Sequence, residues 1–258
     1  MKPSCSDPAW PELPPPSRVA FLLDFDGTLV DIAPAPDQVV VPADLPGHLR
    51  RLRLLCGDAV AIVSGRPMAQ IEALLGDAPF ALSGEHGTEF RHAPGAVIET
   101  LPIPSAPAAW LREAGELVLR HQGVRLEQKR LGFVLHYRAA PQARAAIQTA
   151  LQTLLAGEPD TPYRILPAKM AWEVRPAGAD KATAVRALMA RPPFAGRLPV
   201  FIGDDVTDED GMREARAMGG VGLRVDEQFG DPAGVRAWIA HLAGTKPASA
   251  GSGDAWQS

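Results

Sequence analysis

Val19-Ala20-Phe21-Leu22-Leu23 constrains the fold more than any other stretch of this chain. It is an unbroken apolar run, and two carboxylates follow it at once in Asp24-Phe25-Asp26-Gly27-Thr28. A strand that is wet on one face alternates polar and apolar side chains. A run with no polar break reads instead as a strand covered on both faces, as in a parallel sheet layered between helices. Open sheets of that kind gather ligands at the carboxyl ends of their strands, and Asp24 and Asp26 stand at such an end. Gly27 permits the sharp backbone turn needed there. Carboxylates at a buried strand end are costly unless their charge is offset, and a pair of hard oxygen donors suits Mg²⁺.

The same rhythm continues downstream. Leu45, Leu49, Leu52 and Leu55 recur at helical spacing among arginines and predict a surface helix with one buried stripe. Ala59 to Val63 reads as a second buried strand, followed by Ser64-Gly65-Arg66-Pro67. A helix then carries Ile71, Leu74 and Leu75, with Pro67 in its first turn and Gly76 closing it. Phe80-Ala81-Leu82-Ser83 is a third strand that runs into Gly84-Glu85-His86-Gly87. Strand, helix, strand, helix, strand predicts a parallel, doubly wound α/β sheet.

Near residue 105 the pattern changes. A helix with Trp110, Leu111, Leu117 and Val118 precedes a hairpin, Val124 to Lys129 and Phe133 to Arg138, turning at Leu131-Gly132. A second helix from Pro141 to about Leu155 leads to strands at Tyr163 to Leu166 and Ala171 to Arg175. That is an α+β layer of its own. The α/β rhythm then resumes. A helix starts near Asp180-Lys181, and a strand, Pro199 to Ile202, runs into Gly203-Asp204-Asp205-Val206-Thr207-Asp208-Glu209-Asp210. A strand from Gly220 to Val225 and a helix with Val235, Trp238, Ile239 and Leu242 complete the pattern. The expected division is a flexible Pro-rich leader at 1–17, a core at 18–104 and 177–245, an inserted unit at 105–176, and a disordered Ala/Ser/Gly-rich tail at 246–258.

Composition removes whole classes of partner. The net charge is −4 and no basic block stands out, so no nucleic-acid footprint is expected. No apolar run approaches the roughly 20 residues that span a bilayer, and the leader has no apolar signal core. Cys5 and Cys56 have no metal-binding spacing and are not expected to pair. A reducing, cytoplasmic setting and a small-molecule partner fit these features.

Four polar pieces fall at strand ends or helix starts, and each has a structural reading of its own. Ser64 suits a helix cap, Lys181 a surface lysine, and the run from Asp204 to Asp210 the acidic start of a helix. Asp24 and Asp26 lack the further donors of a Ca²⁺ loop. Two acid clusters on one rim of a sheet, however, repel each other and require a cation. Together the pieces supply phosphoryl transfer. One carboxylate attacks phosphorus, and another protonates the leaving alcohol and then activates water. Mg²⁺ lets the two anions approach, while a hydroxyl and a lysine balance the remaining phosphoryl oxygens.

In order and spacing, Asp24 to Thr28, Ser64-Gly65-Arg66, Lys181 and Gly203 to Asp210 resemble the haloacid dehalogenase (HAD) superfamily of phosphatases. The resemblance implies a Rossmann-like HAD core with an inserted α+β cap of the C2 type. It implies Asp24 as nucleophile and Mg²⁺ ligand, and Asp26 as general acid/base with its backbone carbonyl on the metal. Thr28, Ser64, Gly65 and Lys181 would surround the phosphoryl group. Asp204 would bind the metal, with Asp205 and Asp208 behind it.

A narrower likeness rests on Gly84 to Gly87, Glu127-Gln128-Lys129, His136-Tyr137-Arg138 and Glu173-Val174-Arg175-Pro176, which are similar to the trehalose-6-phosphate phosphatase family. It implies hydrolysis of trehalose 6-phosphate, with Glu127, Lys129 and Glu173 on sugar hydroxyls. Arg66, Glu85, His86, Gly87, His136 and Arg138 would lie beside the substrate. By pattern alone, Glu127 with Lys129 and His136 with Arg138 are same-face strand pairs, which also describes a solvated charge ladder. No second histidine accompanies His86 at metal-ligand spacing. The alternatives are a related capped phosphatase acting on sucrose phosphate or a hexose phosphate, and a non-catalytic sugar-phosphate binding module. Retention of Asp24, Asp26, Ser64, Lys181 and Asp204 speaks against the module.

Overall fold

A computed structural model describes residues 10–34 and 36–244. The tail expected at 246–258 and Cys5 lie outside the described residues. In chain order the first elements are β1 (Val19–Leu23), α1 (Leu45–Leu55), β2 (Val60–Val63), α2 (Met68–Leu75), β3 (Ala81–Gly84), β4 (Glu89–Arg91) and β5 (Glu99–Thr100). Next come α3 (Ala108–Arg120), β6 (Arg125–Gln128), β7 (Phe133–His136), α4 (Arg144–Ala156), β8 (Tyr163–Ala168) and β9 (Ala171–Pro176). The last are α5 (Lys181–Met189), β10 (Leu198–Gly203), α6 (Asp208–Ala217), β11 (Val221–Arg224), α7 (Val225–Gln228) and α8 (Pro232–Leu242).

The unbroken apolar run does become a strand covered on both faces: no residue of β1 is more than 1% exposed. The main sheet has the order β11-β10-β1-β2-β3-β4-β5, so β1 lies inside it. β10 and β2 flank β1, and both run parallel to it. Leu23 is in register with Ile202, and the Asp24 N–H donates to the Ile202 carbonyl at 2.9 Å. This register brings the chain-distant segments Asp24–Thr28 and Gly203–Asp208 to neighbouring strand ends. Phe21, Phe201 and Trp238 sit in one continuous core with the apolar residues of β2 and α5. Each such side chain contributes about 1.5–3 kcal/mol by leaving water.

Several local expectations differ. The described part of the leader is docked: Trp10 lies 4.7 Å from the His241 ring, and Trp10 and Leu13 pack on the core. Leu55, expected on the buried stripe of α1, is exposed, whereas Leu45, Leu49 and Leu52 are buried. Val225 opens α7 instead of ending β11. β4 and β5 add an antiparallel edge to the sheet that no periodic signal announces.

The second sheet is antiparallel, ordered β6-β7-β9-β8. α3 and α4 cover one of its faces, enclosing a separate core around Trp110, Phe133, Ile147 and Trp172. Register and the two-residue period put Glu127 and Lys129 of the β6 side on the opposite face, with Glu173 and Arg175 of β9.

Candidate active site

Asp24 leaves β1 with only 4% of its surface exposed. The Lys181 ammonium donates to Asp24 Oδ1 at 2.5 Å, and Thr28 Oγ1 donates to Asp24 Oδ2 at 3.2 Å. Lys181 is the first residue of α5, and Asp180 caps that helix by accepting the Thr183 N–H at 2.8 Å. The same ammonium donates to Asp208 Oδ1. Asp208 begins α6, is fully buried, and with Oδ2 accepts the N–H groups of Asp204 and Asp205 at 3.1 and 3.0 Å. One carboxylate thus holds the lysine and shapes the loop that presents Asp204. Gly27 completes the arrangement. Its φ is +78°, and a Cβ there would lie 2.2 Å from Asp204 Oδ2, so only glycine admits the acid so close.

One oxygen from each of Asp24, Asp204 and Asp208 falls within 4.8 Å of the others. Burial, then the Asp208 charge, pushes the Asp24 carboxyl up to about 8. Burial followed by Asp208 and Asp205 raises Asp204 to about 6. Burial alone would lower the Lys181 pKa, but Asp24 and Asp208 outweigh it and keep the ammonium charged. Three acids around one ammonium leave net negative charge, and every donor in the group is a hard oxygen. That donor set fits a small divalent cation.

The remaining expected residues divide clearly. Asp208 stands in the acid cluster itself, whereas Asp205 is exposed and turns its carboxylate onto the Val206 N–H at 2.6 Å. The Asp26 side chain lies outside the cluster, gripped at both oxygens by Arg66 Nε and Nη2 at 2.6 and 2.7 Å. Ser64 is buried and accepts the Arg66 N–H at 3.1 Å, so it shapes the Ser64–Arg66 turn and does not cap α2. Glu89 does the capping, taking the Met68 N–H at 2.8 Å. The His86 N–H donates to the Ser64 carbonyl at 3.1 Å, and the His86 ring covers Gly65, where a Cβ would meet it at 2.6 Å. Gly87 has φ +90°, and a Cβ there would meet the Asp180 carbonyl at 2.4 Å. Gly65 and Gly87 therefore contribute close approach instead of side-chain contacts.

Lys129 and Glu173 come from the second sheet to meet this loop. Glu173 Oε1 lies 3.6 Å from Lys129 Nζ and 3.8 Å from His86 Nε2. Burial, then Lys129, Arg175 and Lys181, holds the His86 pKa well below its ordinary value, so the ring is neutral at pH 7. Glu127 pairs with His136 at 2.7 Å further out, both half-exposed, and that bond lowers the Glu127 pKa. Arg138 is exposed and makes no side-chain hydrogen bond or ion pair among the described residues. Glu85 turns its carboxylate onto the Arg130 N–H.

Residues 22–231 match the family model described as trehalose-phosphatase. This chain belongs to the trehalose-phosphatase family. The trehalose-6-phosphate phosphatase of Escherichia coli K12 is 37% identical over 210 residues, spanning 81% of this chain and 78% of that protein. A probable trehalose-phosphate phosphatase of Sinorhizobium fredii is 39% identical over 210 residues, with 80% and 77% covered. Among solved structures, the trehalose-6-phosphate phosphatase of Aspergillus fumigatus superposes with a TM-score of 0.62 at 27% identity, covering 88% of this chain and 93% of that one. The C-terminal domain of the Candida albicans trehalose-6-phosphate phosphatase shares the fold with a TM-score of 0.71 at 21% identity, with the same coverage.

Two residues of this trehalose-phosphatase relative, to which the sequence assigns no role, stand at the junction of the two sheets. Arg130 joins the two sheets, and Arg175 lines a gap of about 10 Å³ with Glu85, Thr88, Lys129 and Glu173. Arg175 Nη1 is buried there without a partner among the described residues. Its sequence signal was the two-residue spacing from Glu173 on β9, which puts both on one face. Arg130 had none, because its backbone makes the decisive bond.

Proposed function

We propose that this chain hydrolyses trehalose 6-phosphate to trehalose and inorganic phosphate. Residues 18–104 and 177–245 act as the catalytic core, and residues 105–176 as a cap. One observation carries the reading: carboxylate oxygens of Asp24, Asp204 and Asp208 gather within 4.8 Å of one another at the carboxyl end of a parallel sheet, with the buried Lys181 ammonium bonded to Asp24 and Asp208, in a member of the trehalose-phosphatase family.

Asp24 attacks the phosphorus, and the bond from phosphorus to the sugar oxygen breaks. Asp26 gives its proton to that leaving oxygen. Arg66 occupies both Asp26 oxygens, so Asp26 must release Arg66 to do this. Asp26 then takes a proton from water as the water attacks phosphorus, which frees phosphate and restores Asp24. Ser64, Thr28 and Lys181 balance charge on the phosphoryl oxygens. Asp24, Asp204 and the Asp26 carbonyl would hold Mg²⁺, which when bound would offset charge so that an anionic nucleophile could approach an anionic phosphate. Glu127, Lys129 and Glu173 read sugar hydroxyls, and closure of the cap excludes bulk water. Among the described residues no helix is long and apolar enough to cross a membrane, and the reading assigns a cytoplasmic setting.

The test is phosphate release from trehalose 6-phosphate, sucrose phosphate, glucose 6-phosphate and an aryl phosphate, each with Mg²⁺ or EDTA. The expected result is the highest kcat/KM on trehalose 6-phosphate and none in EDTA. A preference for another sugar phosphate, or full activity in EDTA, counts against the proposal.

A further inference from the structure

The loop Gly84-Glu85-His86-Gly87 joins the two halves of the molecule. On the core side the Glu85 N–H donates to the Arg66 carbonyl at 3.0 Å and the His86 N–H to the Ser64 carbonyl at 3.1 Å. The loop is therefore fixed to the Ser64–Arg66 turn. On the other side Glu85 is only 9% exposed, and both its carboxylate oxygens accept the Arg130 N–H, at 3.2 and 3.1 Å. Arg130 answers with its guanidinium, which donates to the Thr88 carbonyl at 3.3 Å. Arg130 donates every one of these bonds, and together they join core residues 85–88 to the turn between β6 and β7.

That turn is also held from its own side. The Leu131 carbonyl accepts the Ala106 N–H at 2.9 Å and the Tyr163 hydroxyl, and the Lys129 N–H donates to Gly132 at 2.9 Å. Lys129 directly precedes Arg130, so whatever fixes the Arg130 backbone fixes the origin of the Lys129 side chain. Lys129 in turn reaches Glu173 at 3.6 Å. Glu85 and His86 both adopt left-handed backbone, φ +44° and +57°, at a cost of about 1–2 kcal/mol each. Strain of this kind persists only where the surroundings enforce it, and here it aims Glu85 at the cap.

We propose that Glu85 is a positioning residue: a clasp that ties the cap turn to the core and thereby sets Lys129 over the site, not a ligand of the sugar. The bond is charge-assisted and partly buried, with the Glu85 end shielded from water, so it orders the turn before substrate arrives. The kinetic consequence rests on the phosphatase reading above; the mechanical one does not.

Two measurements on the full chain keep these apart. The first is amide hydrogen exchange of the segment 126–134 without substrate. Glu85→Ala is expected to speed exchange at Arg130 about tenfold or more, because it removes both acceptor oxygens of that N–H. Glu85→Gln, which keeps an acceptor oxygen, is expected to stay within about threefold. Should the alanine variant not fold, Glu85→Asp replaces it. Aspartate tolerates left-handed backbone but is one methylene too short to reach Arg130, and it is expected to speed exchange as alanine does.

The second measurement is KM for trehalose 6-phosphate, expected to rise about tenfold in the fast-exchanging variant and to recover in Glu85→Gln. Unchanged exchange in the alanine or aspartate variant overturns the proposal, whatever KM does. Faster exchange at unchanged KM overturns the link to Lys129. If the unmodified chain does not hydrolyse trehalose 6-phosphate, the substrate reading fails and exchange alone judges the clasp.

Discussion

Adding one methyl group at position 27 tests the geometry of the acid cluster directly. Gly27→Ala carries two separable costs. The first is backbone strain: φ is +78°, and a side chain in the left-handed region costs about 1–2 kcal/mol. The second is collision, since the new Cβ would sit 2.2 Å from Asp204 Oδ2 and 2.5 Å from its Cγ. Relieving such an overlap costs about 1–3 kcal/mol and moves the Asp204 carboxylate away from Asp24. Gly219 supplies the control, with φ +80° and nothing within 4 Å of its Cβ position. Gly219→Ala therefore carries the strain alone. At about 2–4 °C per kcal/mol for a chain of this size, the control should lower the unfolding midpoint by about 2–8 °C. Gly27→Ala should lower it by about 4–20 °C. The functional difference is sharper: Gly219→Ala keeps the Mg²⁺ dependence of phosphate release, whereas Gly27→Ala requires about 10–100 times more Mg²⁺ for half-maximal rate. Equal midpoints for the two variants, together with an unshifted Mg²⁺ titration in Gly27→Ala, would refute the close packing of Gly27 against Asp204.

Asp208→Asn can satisfy the Lys181 ammonium or the two loop N–H groups, not both, because Oδ1 and Oδ2 serve different donors; kcat is expected to fall by about 10²–10³, and an unchanged kcat would dismiss its organising role. The metal-free protein should lose stability as pH rises, because Asp24 at about 8 and Asp204 at about 6 keep protons that the unfolded carboxylates, near 3.8, have released. That stability is fully present below the unfolded value and is lost as pH passes first about 6 and then about 8. A bound divalent cation offsets the same charges, so the gap between unfolding midpoints with Mg²⁺ and with EDTA should widen from about pH 5 to about pH 8. His86 shifts both curves alike and cancels, and a gap independent of pH would speak against metal binding at this cluster.

The sheet was legible wherever period and length spoke together. β1, β2 and β10 are apolar throughout and covered on both faces, and their register alone explains why Asp24 and Asp204 meet. β4 and β5 were not legible. Glu89-Phe90-Arg91 and Glu99-Thr100 are too short for an alternating pattern, and their polar residues are held by distant partners. Glu89 caps α2, Arg91 pairs with Glu72, and Glu99 pairs with Arg191. Such strands exist because of tertiary contacts, and local sequence carries little trace of them. The described part of the leader was misread for the same reason: proline content suggests flexibility, but Trp10 and Leu13 find apolar cover on the core.

Within the site, a further physical distinction separates what could be read from what could not. A residue at a strand end has its place set by the sheet, so its chemistry can be inferred from the residues before it. Asp24 and Asp204 are of this kind. A residue in a turn has its direction set by backbone angles and by a partner elsewhere in the chain. Asp26 was expected at the reacting centre, yet Arg66 binds both its oxygens. Asp208, expected behind the metal ligands, packs against the loop that presents Asp204 because the Gly203 backbone lets it approach; a Cβ there would lie 2.3 Å from the Asp208 carboxyl carbon. Glu85 and His86 are consecutive residues in one left-handed turn and point to opposite tasks: His86 lies over Gly65 beside Ser64, and Glu85 reaches the cap. A motif of two glycines around two polar residues announces a functional loop. Which of its side chains covers Gly65 beside Ser64 and which reaches the turn between β6 and β7 follows only from the paired bonds to Ser64, Arg66 and Arg130.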